Sequence, residues 1–438
     1  MTTSTKRASD YSAGLCNASI LLYIVWLLLP MAQAAGRAVT GAACCGLFVA
    51  GVLLDWAYLK EHWLSLCLRA LCVLLAPVAL WFFCGRGGTN FAGFYVQQTM
   101  FWFPLVYCAY ARERGDRRLW RYVKWTLLGA VTLTTLTTIG WLVQGMLRGG
   151  RVYAYSRSLG YAEAGREAYL RELMLRNIGG YDFVYATVVS LPFTTLATQR
   201  KRGWARAGYA ALLSAQAVMI VLSQYTYAMV FAACALCVEL FALIVRRASR
   251  GRVGMGASLL WGAVPLLAVV LLREPLVSLA ASLCERAGFA SFAFSLRQLL
   301  TSMQGGATET ASRLDYYLQA LDGFKRSPFV GSMFGGEKLL SQHSDLLDLL
   351  SGMGLAGAAA FGGMVWLMGR GSLRGLARSA SKAQLCMAAL LLAAVALLGT
   401  VVYSRDIMAV AALGVGLVLE EESAMLDAGK NHAGLEWV

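Results

Sequence analysis

His343 is the residue best placed to move a proton near neutral pH. Three histidines occur in the chain; His62 falls in a short basic turn and His432 in a polar tail. His343 instead lies between Ser341 and Ser344, directly ahead of an apolar run over 346–368 that reads as a membrane helix. A titratable imidazole is thereby set where a transmembrane helix meets water. Either serine can cap that helix. In its first turn the positive end of the helix dipole disfavours imidazolium, which keeps a neutral base at pH 7. The same unpaired N–H groups attract phosphate. Asp345, Glu337 and Asp315 are carboxylates near enough in the chain to share the base role. The competing reading of His343 is a polar interfacial residue with no chemical task.

Arginine is the second reactive theme. Arg148, Arg151, Arg157, Arg166, Arg171 and Arg176 fall in one long polar stretch; Arg273, Arg286, Arg297, Arg313 and Arg326 fall in another. A guanidinium is a planar fork of donors that suits phosphate oxygens and keeps its charge at any relevant pH. Most of these read as solvated faces paired with Glu163, Glu167, Glu172 or Glu285. Arg313 stands apart, because it opens an amphipathic helix on the segment leading to His343. Arg176 does too, since it precedes Asn177-Ile178-Gly179-Gly180 at the entry to an apolar run.

The elements that must position these groups are membrane helices. The 438 residues are 58% hydrophobic and 14% charged, with mean hydropathy +0.58, where a soluble chain carries roughly a quarter charged residues. A span needs about 20 apolar residues. The runs near 15–35, 38–58, 64–84, 90–110, 122–146, 183–198, 207–223, 226–245, 254–272, 346–368, 383–402 and 407–420 predict about twelve helices. The net charge of +15 sits in short clusters between these runs. That pattern reports orientation in a bilayer and argues against nucleic-acid binding. Placing Arg112–Lys124, Arg200–Arg206, Arg246–Arg252 and Arg370–Lys382 inside leaves both termini cytoplasmic. Single arginines, Arg37, Arg86 and Arg405, then fall on short outer turns.

The expected organisation is helices 1–5 over 1–146, an external loop over 147–182, helices 6–9 over 183–272, a second external loop over 273–345, helices 10–12 over 346–420, and a cytoplasmic tail over 421–438. Both long loops carry amphipathic patterns. Tyr161–Arg176 has Leu170, Leu173 and Met174 on one side and the pairs Glu167/Arg171 and Glu172/Arg176 on the other. Leu276, Leu279 and Leu283, then Leu296, Leu299, Leu300 and Met303, predict helices along the membrane surface. Leu314, Tyr317, Leu318 and Leu321 mark a helix that starts near Thr310 or Ser312 and is expected to stop at Gly323. The glycines and alanines from Gly352 to Gly363 predict close packing of the tenth span on a neighbour. The eleven cysteines lie mostly inside apolar runs, with no metal-site spacing.

His343-Ser344, nine residues, then Gly354-Leu355-Ala356-Gly357 resembles the His-[Asn/Ser/Gln]-x9-Gly-x-x-Gly signature of the bacterial O-antigen ligase and polymerase superfamily. Ala358 stands where that family has threonine. Ser312–Leu321, followed by Pro328-Phe329-Val330-Gly331, is similar to the family's arginine-led helix and Pro-x-x-Gly turn. Arg176-Asn177-Ile178-Gly179-Gly180-Tyr181 is a looser match to its arginine-glycine entry. Ser223-Gln224-Tyr225-Thr226-Tyr227 departs from the serine-arginine pair of many members. The close match covers about residues 310–360.

The resemblance implies a GT-C-like, all-α polytopic fold in the bacterial cytoplasmic membrane, with the active site on the external, periplasmic side. It implies glycosyl transfer from a polyprenyl-diphosphate-linked oligosaccharide to a growing polysaccharide acceptor, without metal or other cofactor. Arg313 and Arg176 would hold the diphosphate and His343 would take or orient the acceptor hydroxyl; Arg326, Asp345 and Glu337 would contact substrate. Membrane lipid, a flippase and a chain-length regulator are the implied partners. A ligase moving a finished glycan to another acceptor fits the same motif. A transporter or lipid-linked-glycan flippase is the rival from another class, and it calls for ionisable groups within the spans.

Overall fold

A computed structural model of the chain describes residues 3–84, 90–115, 117–149, 167–223, 225–248, 273–286, 288–303, 309–332, 339–341, 343–378, 381–399 and 404–433. Among these, every regular element is a helix. The first five are α1 (Thr3–Leu28), α2 (Pro30–Leu54), α3 (Trp56–Cys84), α4 (Phe91–Arg114) and α5 (Arg117–Gly149). A short α6 (Glu167–Leu175) precedes α7 (Tyr181–Arg200), α8 (Gly203–Ser223) and α9 (Thr226–Ala248). Then come α10 (Arg273–Arg286), α11 (Ala290–Met303) and α12 (Glu309–Arg326), followed by α13 (Asp345–Arg378), α14 (Lys382–Leu398) and α15 (Arg405–Ala433).

Five helices among the described residues are long and apolar enough to cross a membrane: Asp10–Leu28, Trp56–Cys84, Leu119–Arg148, Gly203–Ser223 and Asp345–Gly369. Pro30–Gly36 and Val39–Leu54 make a sixth if that bent pair is one span. The chain is an α-helical membrane protein. Helices occupy every stretch expected to span except 254–272, which lies outside the described residues. Their ends differ from expectation where a local signal overrides apolarity. The first helix ends at Leu28 and not near residue 35, because Pro30 takes the first position of α2 with Leu29 as its cap; proline has no N–H to lose there. The last runs past residue 420 to Ala433.

α7 forms the centre. From Phe183 to Leu196 nearly every side chain is buried, and α8, α9, α14 and α15 pack around it. A helix enclosed on all sides needs no polar face. Its modest apolarity comes from hydroxyls that satisfy themselves on the preceding turn. Thr187 donates to the Phe183 carbonyl (2.9 Å), Ser190 to Thr187 (2.6 Å) and Thr198 to Thr194 (2.9 Å). Gln216 of α8 donates to Ser190 Oγ (2.9 Å). Away from water, such bonds remove the cost of burying the hydroxyl.

The two ends of the bundle use charge differently. At the end carrying the clustered lysines and arginines, side chains from separate helices are tied together. Arg114 pairs with Asp55, and Arg69 with Glu113, which also accepts from Tyr58 Oη (2.6 Å). Lys124 pairs with Glu421, Lys201 with Glu421 (3.5 Å) and Arg200 with Glu422 (2.5 Å). The acidic turn Glu420-Glu421-Glu422 thus clamps α5 and α7 onto the prolonged α15. The opposite end holds His343 and Arg176.

Candidate functional site

α12 leads into the site. It packs against α13 with Ala320 buried and Tyr317 and Leu321 half-buried, whereas Leu314 and Leu318 of the expected stripe are exposed, and the helix continues three residues past Gly323, where the sequence predicts a stop. Gly323 is there for proximity instead. A Cβ on it would fall 2.3 Å from Ser351 Oγ and 3.0 Å from Leu339 Cβ. Pro328 and the turn after Ser327 end the helix. Gly331 N–H closes that turn on the Ser327 carbonyl (2.9 Å).

The Pro328–Gly331 turn locks into a break in α13. Gly354 adopts φ 62°, ψ −163°, a conformation foreign to a helix and open in practice only to glycine. The break leaves N–H groups without intrahelical partners, and the turn supplies acceptors. Leu355 N–H donates to the Pro328 carbonyl and Ala356 N–H to the Phe329 carbonyl, both at 2.9 Å. Ser332 N–H reaches back to the Ser351 carbonyl (3.1 Å). Gly331 has φ 60°, and its missing Cβ would lie 2.6 Å from the backbone of Gly352 and Met353. The packing expected of this small-residue run therefore divides. Gly352 approaches the Phe83 carbonyl of α3, Gly331 and Gly354 make the interlock, and nothing lies within 4 Å of a Cβ on Gly362 or Gly363.

His343 sits on the rim of this joint. Ser344 caps α13 by accepting Leu347 N–H (3.2 Å), so His343 stands one residue ahead of the cap and not in the first turn. Ser341 Oγ accepts the N–H groups of His343 (3.1 Å) and Ser344 (2.9 Å). Asp348 Oδ1 accepts both the N–H (2.6 Å) and the hydroxyl (2.8 Å) of Ser341. This strut holds an exposed imidazole whose ring lies 5.4 Å from that of Tyr316 on α12. The phosphate-binding expectation for the first turn of α13 loses support. Asp345 N–H donates to the Gly399 carbonyl (3.2 Å), and Leu347 N–H is taken by the cap. A buried Asp345 also places its own carboxylate at the positive end of the helix.

Arg176 is the last residue of a Schellman-type helix end. Asn177 takes φ 59°, Ile178 N–H donates to the Leu173 carbonyl (3.0 Å) and Asn177 N–H to Met174 (2.9 Å). Ile178, Leu173 and Leu142 pack together beneath it. α5 grips the turn with three threonines. Asn177 Nδ2 donates to Thr134 Oγ1 (3.1 Å), Thr137 donates to the Asn177 carbonyl (2.6 Å), and Gly179 N–H donates to Thr138 Oγ1 (2.8 Å). Arg176 itself is exposed and pairs with Glu172 at 2.5 Å, the i,i+4 contact expected.

Arg326 is likewise exposed and bonded to Asp322 through both Nε (3.2 Å) and a terminal nitrogen (3.0 Å). Arg313 lies on α12 one turn before Tyr316, and its side chain is outside the described residues, as is Glu337. His343, Asp345 and Arg176 share one end of the bundle. Gly399 ties the start of α13 to that of α7, since its carbonyl accepts the Asp345 N–H and a Cβ on it would meet Tyr181 Oη at 3.9 Å. Among the described residues, no group of three or more histidines, cysteines or carboxylates is arranged to hold a metal ion. Sequence reasoning missed Tyr316 and Asp348, which looked like ordinary positions on helix faces. No protein-family model matches the chain, and no curated protein matches it.

Proposed function

We propose that this chain is a polytopic membrane glycosyltransferase that joins polyprenyl-diphosphate-linked oligosaccharide repeats into a surface polysaccharide. The observation that carries the reading is the joint of α12 and α13, which unites the Pro328–Gly331 turn, Gly354 and His343. These are the residues on which the resemblance rests, and each has a geometric task there. In the reaction an acceptor hydroxyl oxygen attacks the anomeric carbon of the lipid-linked sugar. The bond from that carbon to the diphosphate breaks, and the lipid diphosphate leaves with the electron pair. His343 takes the hydroxyl proton, while Arg313 and Arg176 offset the charge gathering on the leaving group. Transfer to a different final acceptor, a ligase reaction, uses the same steps. Of the ionisable groups a transporter could use, Asp55 and Arg69 are paired with Arg114 and Glu113 at the opposite end, while Glu239, the clearest candidate, is buried within α9.

Arg313→Lys keeps the charge and loses the planar fork. Polymer synthesis is expected to fall about 10- to 100-fold, since one charge-assisted hydrogen bond is worth about 1.5–3 kcal/mol. Arg297→Lys, at a position paired with Glu285 on an exposed face, is expected to change little. Equal losses at both positions, measured at matched protein levels, would remove Arg313 from the site.

The proposed topology predicts which engineered cysteines react with an impermeant maleimide in intact cells. Sites at Gly165 and Gly335 react, and sites at Arg117 and Ala248 do not. Labelling of Arg117→Cys from outside would put both long loops in the cytoplasm.

A further inference from the structure

A cavity of about 100 Å³ lies between α5, α7, α8 and α15 at the basic end of the bundle. These helices pack in a ring, α5 on α8, α8 on α7, α7 on α15 and α15 on α5. The walls are apolar, with Leu127, Val131, Leu212, Val410 and Val418 buried in them. Leu128, Phe193 and Leu417 also line the cavity but are only half-buried, so its side is not sealed. Lys124, Arg200, Tyr209 and Glu421 stand at the mouth, and Ser190 and Gln216 at the floor. Gln216 lies seven positions beyond Tyr209 on α8, which sets the depth at about 10 Å. Two polar atoms of the lining, Arg200 Nη1 and Gln216 Oε1, are buried with no hydrogen-bond partner among the described residues. Gln216 is 1% exposed and uses only its amide nitrogen, which donates to Ser190 Oγ (2.9 Å).

These groups narrow the occupant. A mere packing void is lined by apolar atoms alone, whereas an orphaned guanidinium nitrogen calls for an anionic oxygen. Cations are in excess at the mouth. Glu421 is shared by Lys124 and Lys201, Glu422 takes one nitrogen of Arg200, and the exposed Arg202 and Arg206 follow. Tyr122, Trp125 and Trp204 are exposed at the same ends of α5 and α8, as aromatic side chains are at the level of lipid headgroups. Below that level a hydrocarbon chain suits the walls. The volume is smaller than the ~150 Å³ that holds a benzene molecule, so one chain enters and a pair does not. A water beneath the chain end meets Gln216 Oε1. We infer that this cavity binds one anionic phospholipid from the leaflet on that side. Its phosphate lies on Arg200 and Lys124, and one acyl chain runs between the four helices, as basic pockets between spans hold acidic lipids. The site is at the opposite end from His343 and does not depend on the transferase reading.

The test titrates the detergent-purified full-length chain with phosphatidylglycerol and, at equal chain length, phosphatidylethanolamine. Bound lipid is counted by native mass spectrometry. One phosphatidylglycerol is expected to bind about tenfold more tightly than phosphatidylethanolamine, which carries no net charge. Arg200→Gln is expected to weaken phosphatidylglycerol about tenfold, as loss of a charged hydrogen-bond partner does. Ala197→Leu adds bulk to the lining without touching a charge, and is expected to weaken it by a similar factor. That variant keeps the test decisive if Arg200→Gln, which also loses its bond to Glu422, does not fold. Arg206→Gln, at an exposed position outside the lining, is expected to bind as the wild type does. Equal affinity of the wild type for the two lipids overturns the inference. Unchanged binding in folded Ala197→Leu and Arg200→Gln overturns it as well. An equal loss in Arg206→Gln does the same, since general attraction to the basic end would then account for binding. Displacement of the lipid by an equal concentration of glycerol phosphate also overturns it, because the cavity would then hold a soluble anion and no chain.

Discussion

Replacing His343 by alanine is expected to abolish transfer while the protein still folds and inserts. The imidazole is exposed, and the strut beneath it is built from the N–H groups of Ser341, His343 and Ser344, the Ser341 hydroxyl and the Asp348 carboxylate. Truncating the ring therefore leaves the cap of α13 intact. Loss of one positioned acid–base group costs about 100- to 10,000-fold in rate, enough to erase polymer in a cell. His343→Gln separates two roles, because glutamine can hydrogen-bond a hydroxyl but cannot take its proton at neutral pH. If the imidazole is the base, the two variants are equally inactive, and the wild-type rate falls as pH drops and the ring becomes protonated. If it only orients the acceptor, the glutamine variant retains substantial activity. Full activity in His343→Ala, assayed with purified protein and a lipid-linked substrate, takes the residue out of the site.

Gly354→Ala is expected to be nearly as damaging by a different route. The backbone there costs about 1–3 kcal/mol for any residue with a side chain. The new Cβ would also lie 2.4 Å from the Phe329 carbonyl carbon and 2.5 Å from Val330 N. Backbone cannot swing aside as a flexible side chain can, so the Pro328–Gly331 turn must withdraw. The acceptors for Leu355 and Ala356 N–H go with it. Activity should fall below detection, the thermal midpoint should drop, and proteolysis should open the segment between α12 and α13. Gly362→Ala, with nothing within 4 Å of the added atom, should match the wild type in all three measurements. An active, undisturbed Gly354→Ala variant would show that the interlock is dispensable.

Much of this arrangement was legible in the chain itself, and the division follows the range of the forces involved. Membrane class and the positions of the helices depend on composition and periodicity within windows of about twenty residues. So does the pairing of Arg176 with Glu172, one helical turn apart. The proximity of His343 to a helix start was readable for the same reason. Contacts between distant segments left no such local trace. Gly323 carries the signal of a helix stop, and only the closeness of Ser351 and Leu339 shows that it clears space inside a helix that continues. Gly354 looks like one more small residue in a packing run until Pro328 and Phe329 are seen to take over its lost helical bonds. α7 looks weakly apolar because its hydroxyls count as polar in a sequence, whereas its own carbonyls satisfy them in the fold. The sequence by itself determined the α-helical membrane class and where most helices run. Tertiary structure alone decided which residues of separate helices meet, because bringing remote helix ends together depends on packing around α7 and not on any pattern along the chain.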